Sequence, residues 1–108
     1  KYYIADYKSN YLGSSWQNYD NGALDEVISS HHYDLQGCLY LVALDKFLHS
    51  RIKDYQTETQ LGGAYFLFLR GMNPEKPEYG IRLLKPPASL INSLAQVFSN
   101  PTYSGSLL

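Results

Sequence analysis

The sequence predicts an α/β domain, on three observations. Stretches of strand length, rich in aromatic, β-branched or other apolar residues, occur at Tyr2–Lys8, Ala64–Leu69 and Ile81–Leu84. Other segments carry apolar residues at the three- to four-residue spacing of a helix. Their order is strand, helix, helix, strand, strand, helix, and helices placed between strands point to a layered α/β fold.

The first strand, Tyr2 to Lys8, alternates its side chains between two faces. Ile4, Asp6 and Lys8 share one face; Tyr3, Ala5 and Tyr7 share the other. Ser9 to Gly22 is rich in Ser, Asn, Gly and Tyr and reads as a loop, with Asn21-Gly22 as a turn signal. Ala23 to His31 reads as a short helix with Asp25 and Glu26 in its first turn, where the helix dipole favours acids. Tyr33 to about Tyr55 is the strongest helix. Leu35, Leu39 and Val42 recur on one side, and Leu41, Leu44, Leu48 and Ile52 on another, so it is expected to be largely buried. Asp34 is its expected N-cap, and Arg51 and Lys53 suit its C-terminal end. Gly37 costs about 1 kcal/mol relative to Ala in a helix, a cost accepted where another backbone comes close.

Gly62-Gly63 is expected to break the chain before the apolar run Ala64 to Leu69, which reads as a central strand covered on both faces and ended by Arg70-Gly71. Asn73 to Gly80, with two prolines and three charges, is a surface loop. Ile81 to Leu84 is a short edge strand stopped by Pro86-Pro87. Ser89 to Phe98 is a helix with an apolar stripe of Leu90, Ile91, Leu94, Val97 and Phe98, ended by Asn100-Pro101. The expected division is a folded unit over 1–100 and a loose tail over 101–108.

At 108 residues and 44% apolar content the chain is one globular domain or part of one, not a disordered segment. It opens inside a strand without Met, which reads as a piece of a longer protein. A formal charge of −1 lacks the basic excess of a free-standing DNA-binding module. Eleven tyrosines can pack or can stack on bases; the count does not decide between them. Cys38, the single cysteine, excludes an internal disulfide and multi-cysteine metal sites, and its place in an apolar helix suits a core filler. No apolar stretch reaches membrane-spanning length, no membrane partner is expected, and the expected setting is reducing and cytoplasmic.

The chemistry concentrates at Asp6-Tyr7-Lys8. At about 3.3 Å per residue their shared face sets the carboxylate and ammonium roughly 7 Å apart at Cα. A hard cation takes the carboxylate, and an attacking water gains from cation and ammonium together. That is half of a metal-dependent phosphodiesterase site. The triplet alone is weak, because ordinary composition puts roughly one acid-x-Lys in every two chains of this length. His31, His32 and Asp34 could be read as a metal cluster, but adjacent helical residues point about 100° apart, which favours surface or capping roles. His49 reads as structural. Arg70, Arg82 and Lys85 could touch phosphate or simply be solvated. Tyr7, Tyr11, Trp16 and Tyr19 could stack on single-stranded DNA, with loop packing the favoured role.

Taken together, Tyr3-Ile4-Ala5-Asp6-Tyr7-Lys8-Ser9-Asn10, Tyr11-Leu12-Gly13, Tyr33-Asp34-Leu35-Gln36 with Tyr40, and Gly62-Gly63 leading to Tyr65-Phe66-Leu67-Phe68-Leu69-Arg70-Gly71 resemble the C-terminal nuclease domain of the RecB family. The resemblance runs from Lys1 to about Phe98. It implies a fold of the PD-(D/E)XK superfamily, a restriction-endonuclease-like mixed sheet flanked by helices, here truncated at its N-terminal side. It implies a Mg²⁺-dependent deoxyribonuclease within a helicase–nuclease that repairs double-strand breaks. Asp6 and Lys8 match the (D/E)XK acid and lysine, and Gln36 and Tyr40 match the family's Q-x-x-x-Y element. Residues four apart share a helix face, so that amide and phenol are offered together. Asp6 and the Tyr7 carbonyl would hold Mg²⁺.

The resemblance further implies DNA, RecC-like and RecD-like subunits and the RecA recombinase as partners. The family's other acidic metal ligand and its histidine lie further upstream, and only five residues precede Asp6. The expectation is therefore a sheet lacking a strand or two, and a chain catalytically silent by itself. The rival expectation is a non-catalytic module that binds RecA or braces partner subunits through the Tyr33–Tyr55 helix and the last helix.

Overall fold

The computed structural model describes residues 1–99 and contains strands β1 (Tyr2–Lys8), β2 (Leu61–Phe68) and β3 (Ile81–Leu84), with helices α1 (Asn21–Ser30), α2 (Tyr33–Arg51), α3 (Thr57–Gln60) and α4 (Ala88–Ser99). The strands form one open mixed sheet in the order β1-β2-β3, with β1 parallel and β3 antiparallel to β2. This is the α/β class expected, and it is consistent with a truncated restriction-endonuclease-like fold. A parallel pair needs a long crossover, and α1 and α2 supply it. The end of the 1–100 unit, its Asn100-Pro101 stop and the 101–108 tail lie outside the described residues.

Ala64, Phe66 and Phe68 of β2 are wholly buried on one face. Ala64 packs with Leu41, Val42 and Leu48 of α2 and Ile91 of α4, whereas Phe66 and Phe68 pack with Leu24 and Ile28 of α1 and with Tyr19. Tyr65 and Leu67, on the opposite face, are only half buried, and the Tyr65 ring meets that of Tyr3 at 5.3 Å. The expectation that β2 is covered on both faces is thus corrected: the helices named here pack against one face.

Several boundaries also differ from expectation. α1 starts at Asn21 because the Asp20 carboxylate caps it, accepting from the Ala23 N–H at 2.9 Å. Asn21-Gly22 is therefore helix rather than turn, and the first turn holds no acid. The N-cap position of α2 is His32, in the left-handed region at φ 57°, and not Asp34, whose carboxylate accepts from the Leu35 N–H inside the first turn. α2 ends at Arg51, short of Tyr55. Gly62 and Gly63 belong to β2: the register slips opposite Tyr2 and Tyr3, and Gly63 takes φ 131° where an added Cβ would run into the Leu84 carbonyl. Gly37 is approached by the side chains of Leu84 and Phe66, not by backbone.

Two polar clusters fix the connections. In the first loop Tyr19 is fully buried. Its hydroxyl donates to the Asn10 carbonyl at 3.2 Å and accepts from the Leu12 N–H at 3.0 Å. Beyond α2, buried Asp45 accepts from the Tyr55 hydroxyl at 2.8 Å and the Thr57 hydroxyl at 2.7 Å. His49 stands 3.6 Å from the same carboxylate, consistent with a structural role. That cluster bends the chain from α2 through α3 into β2.

Candidate functional site

β1 lies at one edge of the sheet and carries Asp6 and Lys8 on the face where Ile4 joins the core. The exposure of its residues alternates as a period of two requires. Lys8 Nζ stands 3.0 Å from Asp6 Oδ2, with side-chain exposures of 13% and 18%. Asp6 Oδ2 is sealed from solvent, and among the described residues the Lys8 ammonium is its one polar partner. Partly desolvating two charges costs free energy that packed apolar residues would not. The pair therefore has little to recommend it as a stabilising device, which directs attention to its chemistry.

The other partner of the ammonium is Tyr33, at the start of α2. Lys8 Nζ lies 3.7 Å from the centre of its ring, well inside cation–π range. The Tyr33 hydroxyl meets the Asn10 side-chain amide at 3.2 Å, and its ring stacks on His31 at 5.1 Å. Sequence reasoning used Tyr33 only as part of a motif block. Its contact joins residues 25 positions apart, and no local spacing announces that.

Gln36 and Tyr40 lie one turn apart on α2 and are both exposed, Tyr40 to 49%. Among the described residues no hydrogen bond or ion pair links either to Asp6 or Lys8; the contact with Lys8 from α2 comes from Tyr33. The Tyr7 ring projects from the opposite face of β1, 65% exposed. Tyr19 and Trp16 have packing roles, the latter against Tyr79 at 4.7 Å. Tyr11 is exposed, with the Arg70 guanidinium 5.9 Å from its ring. Arg70 Nε donates to the Ser9 carbonyl, and Arg82 is held by Asp25, whereas Lys85 is exposed.

Among the described residues no group of three His, Cys, Asp or Glu side chains converges as a metal site. Asp6 nevertheless suits one ligand position, since the Lys8 ammonium is the one polar partner of its carboxylate among the described residues. A complete oxygen shell would need donors from beyond these residues. His31 and His32 occupy the α1–α2 junction, where the His31 N–H caps the end of α1. Burial, and then the charge of Asp34, push the Cys38 thiol up, which favours its protonated form. No helix among the described residues is long and apolar enough to cross a membrane.

No protein-family model matches the chain. Curated relatives do. Over 102 residues, 94% of this chain, it is 42% identical to a protein of Escherichia coli (strain K12) named RecBCD enzyme subunit RecB. Proteins of the same name from Haemophilus influenzae and Mycobacterium tuberculosis (strain H37Rv) match at 43% over 98 residues and 35% over 103 residues, covering 91% and 90% of the chain. The chain spans only 9%, 8% and 9% of these three relatives.

Proposed function

Because this chain belongs to the RecB family, we propose that it contributes half of a Mg²⁺-dependent DNA-cleaving site of the PD-(D/E)XK type to a RecBCD-like helicase–nuclease. The observation that carries this reading is the Asp6–Lys8 pair: a largely buried carboxylate with an ammonium 3.0 Å away, on one face of an edge strand.

In this reading Asp6 offers one carboxylate oxygen to the cation, and the Tyr7 carbonyl is a candidate for a second. Bound Mg²⁺ would polarise the phosphate and lower the pKa of a water. Lys8 holds positive charge where a phosphate oxygen would lie and can donate to it or orient the attacking water. Among the described residues no strand pairs with the outer edge of β1, which leaves room for a neighbouring strand to bring further acidic ligands. Gln36 and Tyr40, exposed on one side of α2, are proposed to meet the DNA backbone rather than the lysine. In the intact parent, Lys8→Ala is expected to abolish cleavage while DNA binding and unwinding persist. Near-normal cleavage by that variant would refute the assignment.

A second reading has its own support. Leu35, Leu39 and Phe47 of α2 and Leu90 and Phe98 of α4 are exposed apolar side chains. Such an apolar surface suits docking of the RecA recombinase or of RecC-like and RecD-like subunits. Leu39→Glu in the parent is expected to weaken such binding and to leave cleavage intact.

A further inference from the structure

We infer that Tyr33 is a positioning residue for Lys8, holding the ammonium between its aromatic face and the Asp6 carboxylate. This rests on the reading of Asp6 and Lys8 as part of the cleavage site and assigns a role to a residue outside the Q-x-x-x-Y element. The geometry is specific. Lys8 Nζ sits 3.7 Å from the ring centre and 3.0 Å from Asp6 Oδ2. Its side chain is 13% exposed, so little water competes with the ring.

The ring is itself fixed. Its hydroxyl meets the Asn10 side chain at 3.2 Å, one edge of the loop that leaves β1. His31 stacks on it at 5.1 Å, and Phe66 packs against it at 6.4 Å between ring centres. Asn10 is tied in turn, because its carbonyl accepts from the hydroxyl of the fully buried Tyr19. A continuous chain of contacts therefore runs from the buried core through Asn10 and Tyr33 to the lysine. Lysine is a point charge on a flexible four-carbon stem, and its amine is useful only where it is held. A fixed aromatic face achieves that without consuming a hydrogen-bond donor, so the donors not directed at Asp6 stay available for phosphate or water.

The test uses the intact parent complex carrying Tyr33→Phe, Tyr33→Leu, and a series in which position 33 bears phenylalanine with one, two or three ring fluorines. Fluorine withdraws charge from the ring face and barely alters its shape, so a purely structural role would not respond in steps. Two quantities are read: the single-turnover cleavage rate, and the rate of amine labelling at Lys8 measured by mass spectrometry against Lys46 and Lys53. The labelling needs neither metal nor activity.

Expected are a small loss of cleavage for Tyr33→Phe, which keeps the aromatic face and its packing on Phe66 but loses the tie to Asn10, and a loss of about 10- to 30-fold for Tyr33→Leu, the range for a desolvated cation–π contact. Along the fluorine series cleavage should fall stepwise as Lys8 labelling rises. A flat series in both readouts would overturn the inference, as would rising labelling with unmoved cleavage. If Lys8→Ala itself cleaves normally, the reading of the site has failed, an outcome separable from a flat series in which Lys8→Ala is inactive.

Discussion

Arg82 grips Asp25 through two parallel hydrogen bonds, Nε to Oδ1 at 2.7 Å and Nη2 to Oδ2 at 2.9 Å, tying edge strand β3 to α1. Sequence alone left Arg82 open as a phosphate contact, but its guanidinium already has a bidentate partner. Both side chains are substantially exposed, so the pair is worth about 0.2–1 kcal/mol. Arg82→Ala is expected to lower stability by no more than that, less at high salt, and to leave cleavage by the parent unchanged. A denaturant titration at two salt concentrations and a cleavage assay check both parts.

The buried corner at Asp45 makes a larger claim. Removing its carboxylate strands the hydroxyls of Tyr55 and Thr57, so Asp45→Ala is expected to destabilise the chain by about 2–4 kcal/mol in denaturant titration.

The same corner sets an alkaline limit. Burial, the hydrogen bond to Asp45 and the Asp45 charge hold the Tyr55 phenol well above its ordinary value of 10.0. The folded state favours the neutral phenol, so this contribution is complete below pH 10 and drains away as pH climbs toward the folded pKa. Thermal unfolding across pH 8 to 12 should show a fall in stability above pH 10 that Tyr55→Phe reduces.

Two glycines separate crowding from backbone strain. At Gly37 an added Cβ would lie 2.7 Å from Leu84 Cδ2 and 3.0 Å from Phe66 Cζ, ends of side chains that can shift slightly. The helix gains about 1 kcal/mol from Ala, so Gly37→Ala should cost little, about 1 kcal/mol net. Gly63 combines φ 131° with the Leu84 carbonyl 2.6 Å from the added carbon, and neither gives way easily. Gly63→Ala should cost about 2–3 kcal/mol. The order of the two in chemical denaturation is the discriminating result.

What the sequence made legible was periodic. The period of two along Tyr2–Lys8 put Asp6, Lys8 and Ile4 on one face, as observed. The brevity of β3 also read correctly. The expectation that α2 is largely buried did not hold: Leu41, Val42 and Leu48 are buried, whereas Leu35 and Leu39 are exposed, because the core covers one side of the helix only. Errors arose where one interaction overrides local preference. The Asp20 cap pulls Asn21-Gly22 into α1, and a bulge admits Gly62-Gly63 to β2. α3 is four residues long, too short to show a period. Tyr33 joins the site through the packing of α2 against β1, which no spacing encodes.

The account stands most directly on Asp6 as a cation ligand beside Lys8. The decisive measurement is the cleavage rate of the intact parent against Mg²⁺ concentration, for the unaltered protein and for Asp6→Asn, with chelator as the zero point. The substitution keeps the size of the side chain and removes its charge. The account predicts that chelator abolishes cleavage, and that Asp6→Asn cuts the maximal rate by at least about 100-fold or displaces the curve to far higher Mg²⁺. Superimposable curves for the two proteins would contradict it.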